Sequence, residues 1–491
     1  MVGGVITPAG LFRLCKSLVS EGITLMALMR FSALHYPDRC ALVSEGKRFT
    51  YKELYDHANR LARVLHADYH LTAGACVGVL CRNHIVSALL PAALSRLGVR
   101  IKLMNTDIAL TRVNDLVRQN NIKLLIYDAE LKATRIPQHV PCPVRASEDL
   151  LRVMMDESRV PSNAFPHPRR GRDISVFTGG SSGHYKETPR RMTVGQYLPP
   201  LYALLKNLHI ATRDSVFLPL PLYHGFGLAT LVVSFLMGKK VCLVRRFEAK
   251  DALQMIADEQ VDVLTTVPAM LSRMWQTDRA AERMASVKCI ISGGDRLDRS
   301  LVEVTTRHLG KVLYNLFGTS EAGFLMMASP DDLTRHAEVT IGQPIRGVSC
   351  KIAAADSSGT SPLWVRSGWA MTSLKNKWQA TGDLVVRNGE GYYFYRGRQD
   401  NMVVCGGENV YPEHVEQVIN SHPDVVASTA FPITDSRYGT VLHAQIELRP
   451  GSTASPDDLQ AWLRPRLSRA EMPHQMTIAP LVLLETGKRR S

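Results

Sequence analysis

The sequence predicts an α/β protein: a large N-terminal domain of parallel-sheet α/β subdomains plus a β-rich subdomain, with a small mobile α+β C-terminal domain. Three observations predict it. Short apolar runs alternate with amphipathic helical runs through most of the chain, the rhythm of a mostly parallel sheet covered on both faces. From about residue 340, glycine and proline punctuation and short β-runs replace the helices. A length of 491 residues also exceeds what one hydrophobic core serves, so at least two domains are expected.

The elements follow in order. The stretch 10–31, GLFRLCKSLVSEGITLMALMRF, is apolar but broken by Arg13, Lys16 and Glu21, so it is no transmembrane span, and it lacks the small-residue cleavage site of a signal peptide. It reads first as an amphipathic helix packed on its own domain, with weak contact to a membrane surface as the second reading. Residues 49–68 put Leu54, Ala58, Leu61, Ala62 and Leu65 on one helical stripe, with Thr50 as its cap. CVGVLC (76–81) is strand-like, HIVSALLPAALSRLG (84–98) is helical as far as Gly98, and KLLIYD (123–128) is strand-like again. Beyond a glycine-rich loop, SVFLPLPL (215–222), KVCLVRRF, VDVLTTVP, VKCIISGG and VLYNLFG read as strands. FGLATLVVSFLMGK (226–239) and DALQMIADEQ read as helices. LWVRS and GYYFYRGR are β-runs of the later region. RGRQDN (396–401) is a charged step between a strand and an apolar run; taken as a hinge, it divides the chain into domains 1–398 and 399–491.

Composition narrows the function. At 45% apolar and 21% charged, the chain is globular and not disordered. Lys and Arg outnumber Asp and Glu by 59 to 45, but as dispersed pairs such as Arg169-Arg170 and Lys239-Lys240. Without a basic block or interleaved aromatics this argues against nucleic acid and for polyanionic small molecules or an anionic membrane face. Nine scattered cysteines form no CxxC pair, which points to reduced thiols in a cytoplasmic protein and against a zinc site.

The loop FTGGSSGHYKE (177–187) carries the first chemical signal. Glycines let backbone amides approach an anion, Ser181 and Ser182 add hydroxyl donors, and Lys186 supplies a mobile charge. The P-loop pattern fails, because no GK[ST] closes it. LPLYHGFG, ISGGDRL, YNLFGTSEAG, QATGD, RGRQDNMVVCGGENVYPEHVE and the terminal TGKRR follow in that order. With these segments the chain resembles the adenylate-forming superfamily of acyl-CoA synthetases, aryl-CoA ligases, luciferases and amino-acid-activating domains. The resemblance runs from TYKEL at residue 50 to the terminal TGK, and is nearest to fatty-acid–CoA ligases.

The resemblance implies roles position by position. Thr178, Gly179, Gly180, Ser181, Ser182, Gly183 and Lys186 would grip the outer phosphates of ATP. Glu321 would hold magnesium beside Gly318, Thr319 and the phosphate-facing Ser320. Asp383 would bind the ribose, Arg398 would be a second nucleotide contact, and Gly293, Gly294 and Asn315 would border the adenine. His224 and Gly225 would shape the acyl pocket entrance. Lys488 would reach the substrate carboxylate and α-phosphate. Asp400 would be the pivot of the small domain, whose Gly406 and Gly407 would line a tunnel for a pantetheine thiol ahead of a helix capped by Glu413. The implied reaction forms an acyl-adenylate from a carboxylic acid and ATP with Mg2+, then passes the acyl group to coenzyme A or to the phosphopantetheine of an acyl carrier protein.

Three departures from the family pattern stand out. Tyr185 replaces the common loop proline, Glu471 and Met472 stand where a basic residue is frequent, and the chain ends three residues after Lys488. They motivate one reading outside catalysis, a nucleotide-binding relative that has lost turnover. No aspartate for a substrate ammonium lies near LYHGFG, which favours an uncharged acid tail. VVSFLM and VPAMLS are the apolar segments available to a pocket or to the core.

Overall fold

The computed structural model describes residues 7–156, 158, 173–179, 185–190, 194–352, 360–401, 403–405, 408–435, 439–467 and 470–481. The chain forms two compact units. The first is Met1–Thr265 with Arg283–Lys288 and Trp369–Ser373; the second is Thr266–Glu282, Cys289–Gly368 and Leu374–Ser491.

In the first unit, the helix expected across 10–31 is two helices, α1 (Pro8–Glu21) and α2 (Leu25–His35). Gly22 breaks them at φ +70°, and Thr24 caps the second by accepting from Ala27 N at 3.2 Å. Helix α3 (Tyr51–Tyr69) starts where expected: Thr50 accepts from Glu53 N, and the Glu53 carboxylate accepts from Thr50 N, a reciprocal capping box. All five stripe residues of α3 are buried. Helix α4 (Ile85–Arg96) is buried on every side, which accounts for its nearly continuous apolar sequence.

A six-stranded sheet has the spatial order Val144–Ala146, Ile122–Tyr127, Cys76–Leu80, Arg100–Leu103, Ile174–Gly179, Tyr185–Arg190. Every pairing is parallel except the last. Five further strands lie in the order Lys47–Thr50, Cys40–Ser44, Lys240–Leu243, Ser215–Leu218, Val263–Thr266. The strand expected over 215–222 stops at Leu218, because Pro219 and Pro221 carry no N–H for a ladder.

A buried polar pin joins two strand ends to the start of α4. Asp128 is fully buried, and its carboxylate faces His84 Nε2 at 2.8 Å while accepting from Ser147 Oγ at 2.7 Å and Arg82 N at 2.8 Å. Burial alone would raise its pKa. The His84 and Ser147 hydrogen bonds and the His84 charge outweigh burial and hold it at about 2. A depressed carboxylate stabilises the fold above its unfolded pKa, and that contribution disappears as pH falls toward 2. Asp128→Asn is therefore expected to lose about 2 kcal/mol at neutral pH, with the difference from wild type closing below about pH 4 in urea titrations. A pH-independent difference would contradict this.

In the second unit, Cys289–Gly293 and Leu313–Thr319 pair in parallel, and Leu313–Thr319 turns back into Gly323–Ala328 and the edge strand Gln343–Pro344. The expected β-rich region is a four-stranded antiparallel sheet, Val348–Ile352, Ser361–Ser367, Gln379–Arg387, Tyr393–Arg398. One core unites sheet and hairpin: Ala322, Leu325, Met326, Leu363, Val365 and Val385 are all buried together. Beyond a helical turn at Gln399–Asn401 come the strands Val425–Asp435, Gly439–Leu448 and Gln475–Ile478, with helices Pro412–Asn420 and Pro456–Leu463, matching the predicted α+β composition. Arg273, on the helix Pro268–Trp275, grips Glu447 with two bonds of 2.7 and 2.9 Å. Both residues also bind the backbone of Leu481, Glu447 through its N–H at 3.0 Å and Arg273 through its carbonyl at 3.1 Å.

Candidate active site

Among the described residues, ten of the site residues expected from the sequence lie in the second unit, together with Glu413. Gly293 ends its strand, at the carboxyl edge where open α/β sheets bind ligands, and Asn315 pairs with Ser292 on the neighbouring parallel strand. Asn315 is buried and donates to Thr340 O at 3.1 Å. Thr340 Oγ1 in turn donates to Tyr393 O at 2.7 Å, tying the strand of Asn315 to the strand that ends in Arg398. Gly294 follows at φ +82°.

The turn after Thr319 presents Glu321. Thr319 Oγ1 accepts from Ala322 N at 3.0 Å and closes the turn, and Ala322 O accepts from Ser367 Oγ at 3.0 Å. At Gly318 a Cβ would lie 2.3 Å from Gly323 O, so only glycine lets the two arms approach. Ser320 is exposed and Glu321 half-buried. The Glu321 carboxylate has no hydrogen-bond or ion-pair partner among the described residues, while its neighbours' polar groups are engaged. A half-buried carboxylate left unspent beside a hydroxyl suits a hard divalent cation, which takes oxygen ligands and shares them with phosphate.

Asp383 and Arg398 are direct cross-strand partners, with a register shift beside them between Leu384 and Val385. Asp383 is buried, with Oδ1 3.4 Å from Arg398 Nη1. Arg398 also donates to Thr381 O at 3.2 Å, and it packs over Gly382, where a Cβ would come within 2.8 Å of the guanidinium. Burial, with the Asp383 and Glu413 charges, pushes the Tyr395 phenol far up, so that phenol stays neutral beside Asp383. If Asp383 holds a ribose, Asp383→Ala is expected to raise KM for ATP about ten- to hundredfold, the cost of a charge-assisted hydrogen bond. An unchanged KM would remove it from the nucleotide site.

At the hinge expected from the sequence, Asp400 lies in the helical turn Gln399–Asn401. Glu413 does not cap the next helix, as the sequence suggested: the N-cap is Tyr411, and Glu413 sits in the first turn, where it accepts from Asn401 Nδ2 at 2.6 Å and its backbone carbonyl accepts from Arg296. A carboxylate is stabilised there by the helix N-terminus without capping it.

The remaining candidates belong to the first unit or lie outside the described residues. The strands Ile174–Gly179 and Tyr185–Arg190 form an antiparallel hairpin that sets Lys186 opposite Thr178 and Tyr185 opposite Gly179. The loop thus begins and ends on paired strands, in place of the strand-to-helix turn of a P-loop. Gly180, Ser181, Ser182, Gly183, Gly406, Gly407 and Lys488 lie outside the described residues. His224 is the N-cap position of the helix Gly225–Leu236, its ring 4.8 Å from that of Tyr223. Gly225 faces open space, whereas a Cβ at Gly227 would lie 2.3 Å from Pro221 O, so the tight glycine of LPLYHGFG is the later one.

Asn83 was not singled out in the sequence, yet its side chain bonds Leu220 O and Leu222 N, each at 2.9 Å, and so fixes the segment that carries His224. Cys81, His84 and Asp128 form a cluster of metal-ligating types. Both His84 ring nitrogens are already engaged, Nε2 with Asp128 and Nδ1 with Ser87 N, and burial pushes the Cys81 thiol well up, which makes the cluster a structural pin. None of the nine cysteines is in a disulfide. From VVSFLM, Val232 and Phe235 line a small apolar cavity of about 30 Å³, room for one water. Met270 and Leu271 of VPAMLS are fully buried core.

The fold is that of the adenylate-forming enzymes, and the family match and the curated relatives make the chain an acid–thiol ligase of that class. The chain belongs to the AMP-binding enzyme family, whose model matches residues 29–373. Among curated relatives it is 26% identical over 458 residues to 2-succinylbenzoate–CoA ligase of Bacillus velezensis, covering 89% of this chain and 90% of that one. It is 25% identical over 500 residues to the fatty acid–[acyl-carrier-protein] ligase ScoC of Streptomyces coeruleorubidus, covering 92% and 91%. Its fold matches that of o-succinylbenzoate CoA synthetase from Bacillus subtilis, solved with its acyl-adenylate intermediate, with a TM-score of 0.78, 23% identity, and 94% and 96% of the chains covered. The relatives therefore span aryl and fatty acids, and the expected special likeness to fatty-acid–CoA ligases gives way to this broader kinship.

Proposed function

We propose that the protein activates an apolar carboxylic acid with ATP and Mg2+, forming an acyl-adenylate, and transfers the acyl group to the pantetheine thiol of coenzyme A. The observation that carries this reading is the unspent Glu321 carboxylate, held by the Gly318 turn on the same buried core as the Asp383 strand. Glu321 and Ser320 would hold the magnesium ion, which when bound neutralises charge on the phosphates. Asp383 would accept from the ribose hydroxyls, with Arg398 beside it. Lys186, Ser181 and Ser182 would hold the departing pyrophosphate, and Lys488 would bring the carboxylate to the α-phosphorus. The carboxylate oxygen forms the bond to phosphorus and pyrophosphate leaves; the thiol sulfur then attacks the acyl carbon, AMP leaves, and the thiol proton passes to solvent. No protein nucleophile is needed.

For the thiol step, residues 399–491 would move as a lid about Asp400, placing Gly406 and Gly407 against the pantetheine. An acyl or aryl acid–carrier-protein ligase is the second reading, favoured by the likeness to a carrier-protein-loading enzyme. The free cysteines support a cytoplasmic setting. The test is acid-dependent ATP–pyrophosphate exchange over fatty, aryl and amino acids, followed by acyl transfer to coenzyme A or to a holo-carrier protein. Exchange with an apolar acid is expected. ATP binding with no exchange across the whole panel would replace the ligase reading with a nucleotide-binding one.

A further inference from the structure

Helix α1 is inside out. Its inward side is small and polar: Gly10, Ser17 and Glu21 are its buried residues. Glu21 accepts from Arg96 at 2.7 Å, Arg30 at 3.0 Å and Tyr55 at 2.7 Å. Arg13 reaches His35 Nδ1 at 2.9 Å, and Ser17 Oγ donates to Arg13 O. Burial alone would raise the pKa of Glu21, but the Tyr55 and Arg96 bonds and the Arg96 charge bring it down, so the inward carboxylate is ionised and compensated. The outward side is apolar. Leu11, Phe12 and Val19 are 52%, 70% and 82% exposed, Cys15 is exposed between them, and Ile23 extends the line past the helix end. The spacing 8, 11, 12, 15, 19, 23 is one face of a helix.

A surface helix normally turns this face to the core. Here ion pairs with α2 and α4 hold the polar face down and leave large side chains in water, an arrangement that costs free energy unless something covers them. The charge pattern says what. Lys16 is exposed at the edge of the apolar stripe, no acidic residue occurs from Thr7 to Ser20, and the only carboxylate of the helix is the inward, neutralised Glu21. A second copy of the chain meeting this face about a two-fold axis would bring Lys16 near its own image. An anionic bilayer offers an apolar interior for Phe12 and Val19 and phosphates for Lys16, whose stem can snorkel to the headgroups.

We propose that α1 is a membrane-surface anchor, lying in the interface of an anionic lipid bilayer with Leu11, Phe12 and Val19 inserted and Lys16 at headgroup level.

The experiment is co-sedimentation of the full chain with phosphatidylcholine vesicles, with and without phosphatidylglycerol, beside analytical ultracentrifugation of the protein alone. Binding to the anionic vesicles is expected, weakening with salt. Phe12→Asp and Val19→Asp should each lower the partition coefficient about tenfold or more, and Lys16→Glu about tenfold, with Tm unchanged because these side chains face solvent. Three results would overturn the proposal: no binding to either vesicle, equal binding to neutral and anionic vesicles, or full binding retained by Phe12→Asp. Dimerisation of the wild type that Phe12→Asp abolishes would assign the face to a second copy instead.

Discussion

Glu321→Ala is expected to lower acid-dependent ATP–pyrophosphate exchange by about 10²–10³-fold and to raise the magnesium concentration needed for half-maximal rate, while leaving Tm within about a degree. The two halves of this expectation have one origin. A side chain that serves the fold spends its polar atoms on protein partners, and its removal shows as lost stability. Glu321 has no hydrogen-bond or ion-pair partner among the described residues, although the turn around it is closed by the Thr319 and Ser367 hydroxyls. Its removal should leave the turn intact and take away only what the carboxylate does for a ligand. A drop in Tm of several degrees with exchange preserved would make Glu321 structural and remove the metal assignment.

Gly342→Ala should act in the opposite way, through the fold first. The residue has φ +88°, and a Cβ there would lie 1.9 Å from Met327 O and 2.4 Å from Ala328 N, backbone atoms of the neighbouring strand. Neither atom can step aside without opening the pairing of Met327 with Gln343. Positive φ alone costs about 1 kcal/mol for a side-chain-bearing residue. With the overlap, the total is expected to exceed about 4 kcal/mol, the range reserved for gross backbone conflict. The same shift would move Thr340, whose carbonyl seats Asn315 and whose hydroxyl binds both Gly342 N and Tyr393 O. A folded remnant should therefore bind ATP more weakly, and chemical denaturation with ATP titration would measure both effects. A fully stable variant would show that the strand yields more easily than its geometry implies.

Local features were legible in the sequence, and distant partnerships were not. Helix α3 could be read because its cap, its Glu53 and its stripe all lie within one run of residues. The β-rich region and the α+β tail could be read because glycine, proline and short apolar runs are local signals. Helix α1 reads from its sequence as amphipathic, but nothing nearby in sequence says that Glu21 will meet Arg96, 75 residues on, and so which face will be buried. Asn83 carried no signal because its partners are backbone groups at Leu220 and Leu222, which any residue type provides. Among glycines, the sequence pointed to Gly225 and Gly318 by their places in motifs; steric demand spares Gly225 and falls on Gly318, and also on Gly227 and Gly342, where backbone comes close. The opposition of Thr178 and Lys186 needed the hairpin register, and spacing alone does not give a register.

The grip of Arg273 and Glu447 on Leu481 has a consequence for reach. Lys488 follows Leu481 by seven residues in the sequence, and a fully extended chain of that length spans at most about 25 Å. While both backbone bonds of Leu481 hold, that length sets an upper bound on how far from Leu481 the backbone of Lys488 can lie. Glu447→Ala would lengthen the leash. If Lys488 serves the adenylation step as proposed, the bound on its reach would then loosen, and the step is expected to slow although no residue assigned to the substrate had changed.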